Sequence, residues 1–217
     1  MSIVWPCRLE VAEYVAAGKY VEVPRPDCPS CQVPMNFRSG YPRWVRVGEA
    51  ARMWVKRAEC TACSVSHALL PAFLLVRRLD PVQVIVSALE LAVVGLGLRR
   101  VAAQVEVPHE TARDWWRRYR EQAAGLTAGL SSLAVSLGRE VPALSEHPTG
   151  SGLEALEVAW RAAQQRVGEG VVGRFEFASL VTGGGFLTTT TSPLGRWLRP
   201  GLLMVRTPSP PTSRSPP

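Results

Sequence analysis

Cys28-Pro29-Ser30-Cys31 and, after a further 28 residues, Cys60-Thr61-Ala62-Cys63 are the stretches that decide how this chain is read. Each is a CxxC turn, which offers two thiolates from one loop to a tetrahedral metal site and backs them with backbone N–H groups. The residues between the turns are enough for a hairpin or a three-stranded sheet to return the second turn to the first. Four soft thiolates at this spacing suit Zn2+ best, with iron the second choice for the same cage. A redox pair calls for a βαβ context that is not visible in the flanking sequence. Because protein fills all four positions, no place remains for a catalytic water, and the zinc is expected to be structural. His67, four residues past Cys63, can replace a thiolate but is not needed. It is expected beside the site or at the surface. Cys7 stands alone and reads as a small buried hydrophobe.

Outward from the cysteines, the expected fold class is α+β: a small four-cysteine zinc ribbon of short antiparallel strands over residues 24–71, then a mainly α-helical region. Residues 33–58 alternate and are rich in Val, Trp and Arg, with Ser39-Gly40 and Gly48 as turn signals. Residues 1–23 form an N-terminal packing segment with an extended start. Its helix over Glu10–Ala17 puts Val11, Tyr14 and Val15 on one face and ends at Gly18.

Past His67 the period becomes helical. Asp80-Pro81 reads as an N-cap followed by proline in the first turn. Ile85, Ala88, Leu89 and Ala92 recur at i, i+3, i+4 and i+7, and Gly95 or Gly97 stops the helix. Leu98, Val101, Ala102 and Val105 repeat the spacing up to a break at Glu106-Val107-Pro108. A third helix follows from His109 to about Gln122. Two short helices and a tight turn into a third, over residues 80–122, make a helix-turn-helix.

In the third helix Ala112, Trp115 or Trp116, and Tyr119 form the stripe that seals against Ile85, Val101, Ala102 and Val105. The other side carries His109, Arg113 and Arg117 at i, i+4 and i+8, with Glu110 and Asp114 alongside. A helix fits the DNA major groove, where Arg pairs with guanine and a carboxylate accepts from cytosine. His109 and Arg113 are therefore expected at bases, with Glu110 in the same DNA-binding set. Arg117, Arg118 and Arg120 are expected mainly at phosphates. The competing interpretation is a solvated face held by i, i+3 and i+4 ion pairs. The turn departs from the common pattern, since Glu106 and Pro108 stand where Gly and a capping Ser or Thr are frequent.

Charge agrees with a polyanionic partner. The formal net charge is +7, and Lys19 and Lys56 are the only lysines among 25 basic residues. Arginine forks match phosphate and guanine edges. The ribbon is basic as well, and Arg43 and Arg46 are expected to extend the DNA contact.

Residues 150–170 read as one more amphipathic helix, through Leu153, Leu156, Trp160, Ala163 and Val167, able to pack on the helical unit or to form a homodimer. Residues 192–217, rich in Pro and Ser with four arginines and no acid, are expected to be a disordered tail. Val82–Leu98 is too short and too polar to span a bilayer. Pro6, Arg8, Glu10 and Glu13 near the start exclude a secretory signal. The expected location is cytoplasmic, at the nucleoid.

The two CxxC turns, Ser66-His67, Leu69-Leu70-Pro71 and the helix-turn-helix at 98–121 together resemble the DNA-binding front end of insertion-sequence transposases. They are more similar still to a family of short actinobacterial proteins of uncharacterised function, which share a Trp-Pro-Cys start like Trp5-Pro6-Cys7. The resemblance covers residues 3–121 and implies DNA binding. Such transposases continue into an RNase H-like domain whose three carboxylates hold two divalent ions. Here Asp27, Asp80 and Asp114 are the only aspartates, so that domain is not expected.

The expected function is therefore a non-catalytic, sequence-specific double-stranded DNA-binding protein, a transcriptional regulator or a transposase-derived accessory factor. The alternative is an interaction module whose ribbon docks on polymerase or a transposase. An enzyme is not expected: the sequence offers no Ser/His/Asp set and no phosphate-binding loop, and Gly183-Gly184-Gly185 lacks the strand-to-helix context of a nucleotide site.

Overall fold

The computed structural model describes residues 2–189. The expected tail at 192–217 lies outside them. The fold is mixed α+β, with two apolar cores. The first belongs to a four-stranded sheet in the order β1-β4-β3-β2, made of β1 (Ser2–Trp5), β2 (Asn36–Val47), β3 (Glu49–Glu59) and β4 (Ser66–Pro71). β2 and β3 are a long antiparallel hairpin turning at Gly48, whose φ of +72° suits the residue without a Cβ. Val45, Met53 and Val55 from this hairpin are buried with Leu69, Leu70 and Tyr14.

The extended start of the N-terminal segment joins this sheet as an edge strand. β1 pairs in parallel with β4, from Ser2 opposite Ala68 to Trp5 opposite Pro71. α1 (Val11–Ala17) follows and sets Tyr14 into the core, its hydroxyl donating to the Trp54 carbonyl at 3.1 Å and its ring edge-on to Phe73. Ser39-Gly40, read above as a turn, is an irregularity within β2: the register shifts between Phe37 and Gly40. A β-bulge of this kind adds a residue and bends the strand without reversing it. Glycine is required there, because a Cβ at Gly40 would overlap the Trp54 indole laid across it.

The second core is helical. α2 (Val82–Val93), α3 (Leu98–Gln104) and α4 (His109–Ser136) bury Ile85, Leu89, Val101, Ala112, Trp115 and Tyr119 together. α4 is 28 residues long, twice the expected length. Its apolar stripe continues through Ala123, Leu126, Leu130 and Leu133, all buried, while Gly125 lies on the exposed side. An exposed helical glycine costs only about 1 kcal/mol relative to Ala, which the stripe outweighs. α5 (Pro148–Val167) returns along α4. Tyr119 donates to the Thr149 carbonyl at 2.6 Å and its ring stacks on Phe186. Leu156 and Ala163, on the face read as a packing or dimer surface, are thus used within the chain. α6 (Arg174–Val181) had no clear signal in the sequence.

The two cores are joined at several points. Ser179 donates to the Leu74 carbonyl at 2.6 Å, and the Val76 amide donates to the Gly184 carbonyl at 2.9 Å. Within the helical core itself, Arg174 ties α6 to Glu90 of α2 and Glu157 of α5. Among the described residues no helix is long and apolar enough to cross a membrane.

Candidate metal centre and helix-turn-helix surface

The two CxxC turns have the same backbone design. In the first, the Cys28 amide donates to the Val33 carbonyl at 2.8 Å and the Gln32 amide donates back to Cys28 at 2.9 Å. In the second, Cys60 and Val65 are 3.0 Å apart in the same sense, and Ser64 donates to Cys60 at 2.9 Å. The residue after each second cysteine is left-handed: Gln32 has φ +60° and Ser64 φ +57°. This kink turns the chain so that both thiols of a turn face one point. Neither residue is a glycine, so spacing reveals the ligands while the kink stays hidden.

The four Sγ atoms lie within 4.8 Å of one another, and Cys28 and Cys63 are 3.8 Å apart across the site. Four thiolates about 2.3 Å from one ion at tetrahedral corners stand about 3.8 Å from each other, so the cluster has the size of a four-thiolate metal site. Its electrostatics call for a cation. The Cys63 backbone N–H lowers the Cys60 thiol to about 7, with burial opposing and the Ala62 N–H assisting. Cys31 is pushed up to about 12 by its bond with the Cys63 thiol, by burial and by the other sulfurs. Four thiolates cannot share so small a volume unless positive charge is placed among them. All five cysteines are free thiols, so disulfide bonds do not hold the cluster together.

His67 is not among the ligands. It is buried in β4 opposite Ala58, its Nδ1 has no hydrogen-bond partner among the described residues, and burial lowers its pKa. Cys7 is buried as expected, its thiol raised to about 11 by desolvation.

The arginines expected on the basic ribbon face are used internally. Arg43 donates to the carbonyl of Leu75 at 2.7 Å and also to that of Arg78. Arg46 meets Asp80 at 2.9 Å, its amide donating to the Leu79 carbonyl at 3.0 Å. Asp80 is accordingly not the helix N-cap. Pro81 takes that place, and the Asp80 carboxylate is buried. Burial raises the Asp80 pKa, and Arg46 offsets part of that rise. Arg43 and Arg46 therefore fasten the 75–80 connector, and with it α2, to the edge of β2. Sequence places them beside other arginines, but not which of them turn inward.

The turn between α3 and α4 solves the glycine problem with Glu106, which takes φ +54°. The Val107 amide then reaches the Ala102 carbonyl at 3.0 Å and closes α3 in the manner of a Schellman turn. Beyond it α4 presents His109, Arg113, Arg117 and Arg120 along one side. Arg113, Arg117 and Arg120 are exposed, whereas Ala112, Trp115 and Tyr119 are buried behind them.

Carboxylates hold most of these cations. Glu110 pairs with Arg113 at 2.5 Å and lies 3.6 Å from His109. Asp114 binds Arg117 at 2.6 Å, Arg118 at 2.8 Å and Arg78 at 3.2 Å, and Glu121 takes the other arm of Arg117 at 3.1 Å. Desolvation pulls the Asp114 carboxyl upward, but bonds from Arg118 and Arg117 and the nearby Arg78 outweigh it and hold it below the ordinary range. Arg120 has no partner among the described residues.

Fold and site together define a mixed α+β protein in which a four-thiol ribbon is fastened to a helix-turn-helix. A domain of unknown function, DUF6431, matches residues 28–115, from the first ligand cysteine to Trp115 of α4. No curated protein and no solved structure matches the chain.

Proposed function

We propose that the chain is a non-catalytic, sequence-specific DNA-binding protein that reads duplex through the start of α4, with structural Zn2+ on Cys28, Cys31, Cys60 and Cys63. One observation carries this reading: His109, Arg113, Arg117 and Arg120 lie along one side of a helix whose opposite side is sealed in the core. Such a helix offers long donors to a groove while its axis stays fixed. The ion pairs bear on the same reading. Glu110 and Asp114 hold the arginine forks in defined positions, which reduces the ordering cost when they meet bases or phosphates. Zn2+ fits the all-sulfur donor set and the separation of the thiols. Its chemistry here is to neutralise four thiolates and tie the two turns together. The likeness to transposase front ends and to short actinobacterial proteins belongs to this proposal as well.

The test is duplex binding by the zinc-loaded chain over a range of salt. Arg113→Ala should weaken the preferred site by roughly 5- to 150-fold and relax base preference at one position. Arg120→Ala should weaken all duplexes alike and reduce the salt slope by about one. Small and equal effects of both changes would remove α4 as the reading element.

A further inference from the structure

The hairpin carries a second set of cations, arranged differently from those of α4. Cross-strand partners in an antiparallel pair lie on the same face, and successive residues lie on opposite faces. The register therefore puts Phe37 (opposite Ala58), Trp44 (opposite Arg52) and Trp54 (opposite Pro42) on one face, together with Lys56 (opposite Gly40). On that face each ring has one cation over it: Arg52 at 5.1 Å from the Trp44 ring, Lys56 at 5.6 Å from Phe37, and Lys19 of the N-terminal segment at 4.8 Å from Trp54. Both lysines of the chain are used here.

Two features mark the face as a binding surface. Trp44 is 50 % exposed and Phe37 43 %, large apolar areas to leave in water. Neither carboxylate of the hairpin lies among them: Glu49 pairs with Val47 and Glu59 with Asn36, which puts both on the opposite face. The hairpin's own carboxylates are thus turned away from the rings, and Asp80, which lies beside this row, is already taken by Arg46. From the Phe37 pair to the Trp44 pair is six residues of β3, about 20 Å of strand.

We propose that this face is a stacking platform for single-stranded nucleic acid, a site separate from the duplex-reading helix. Unpaired bases have free π faces to lay on Trp44 and Phe37. The adjoining Arg52, Lys56 and Lys19 supply charge for the phosphates between them. Duplex DNA does not fit this chemistry, because its bases are already stacked and only their edges are accessible. A strand of several nucleotides spans the row of rings. Such binding tolerates any sequence, since every base has a π face.

The experiment uses the zinc-loaded full chain, a labelled oligothymidylate of about 12 nucleotides, a hairpin duplex and polyglutamate, with binding followed by anisotropy. Trp44→Ala and Phe37→Ala should each weaken oligothymidylate by roughly 5- to 150-fold, and Trp44→Phe should keep most of the affinity. Lys56→Gln should flatten the single-strand salt slope by about 0.7. Duplex affinity should be unchanged by all of these, which separates failure of the platform from failure of the α4 reading. Equal oligothymidylate affinity for wild type and for Trp44→Ala with an unaltered melting transition would overturn the proposal. So would polyglutamate binding as tightly and depending equally on Trp44, which assigns the face to an acidic polypeptide. If Trp44→Ala fails to fold, Phe37→Ala and Lys56→Gln decide on the same criteria.

Discussion

Along the start of α4, four arginines stand among three carboxylates, whereas on the hairpin face three cations stand over three aromatic rings. Carboxylate partners orient a guanidinium but cancel its charge at a distance. A ring orients the cation more loosely and leaves the charge in place. In the readings proposed above, the helix thus supplies geometry at short range, and the hairpin supplies attraction and stacking. A third group, Arg43 and Arg46, is half-buried and holds the two cores together.

The largest break in this comparison comes from removing the zinc proposed at the four thiols. Structural zinc contributes on the order of 10 kcal/mol in small ribbons. Chelation or Cys60→Ser should therefore abolish hydrogen-exchange protection at Met53, Val55 and Leu69, while Leu126 and Leu130 of α4 stay protected. Uniform loss, or no loss, would contradict the assignment of two separable cores.

A smaller effect separates inward from outward cations. Asp80→Ala leaves Arg46 facing a buried vacancy and should cost about 3 kcal/mol in urea unfolding, because one member of a largely buried pair loses its partner. Glu59→Ala breaks only the exposed pair with Arg38 and should cost less than about 0.5 kcal/mol.

Asp114→Asn tests the carboxylate clamp. It frees Arg78 and Arg118, leaves Arg117 held by Glu121 alone, and should raise non-specific duplex affinity about fivefold at low salt, with a steeper salt slope. It should leave oligothymidylate binding unchanged. Because the folded-state pKa of Asp114 is depressed, its contribution to stability is complete above the unfolded value near 3.8 and is lost as pH falls through the folded value. The wild type should therefore show an acid-dependent loss below about pH 4 that Asp114→Asn lacks. The smallest change is Glu106→Gly, which relieves the left-handed residue in the turn and should add about 0.5 kcal/mol in thermal unfolding, leaving duplex affinity within twofold.

Much of this was legible in the residues. Cysteine spacing identified the cluster, and the periodicity from Ile85 through Tyr119 identified the helices and their buried stripe, because both signals are local. What sequence concealed was non-local or conformational. Parallel pairing of β1 with β4 depends on chain return. The Ser39-Gly40 bulge depends on Trp54 lying across it, and the inward turn of Arg43 and Arg46 depends on a connector more than 30 residues away. Left-handed Gln32, Ser64 and Glu106 carry no glycine to announce them. The α4 stripe past Gly125 was legible in principle, through Leu126, Leu130 and Leu133, but a single glycine obscured it.

The central claim, that α4 reads duplex sequence, is tested most directly by selecting bound duplexes from a random library with the zinc-loaded wild type and with Arg113→Ala at matched salt. The account predicts an enriched motif containing a guanine whose preference disappears in Arg113→Ala while the flanking positions persist. No enriched motif, or the same motif from both proteins, would contradict it.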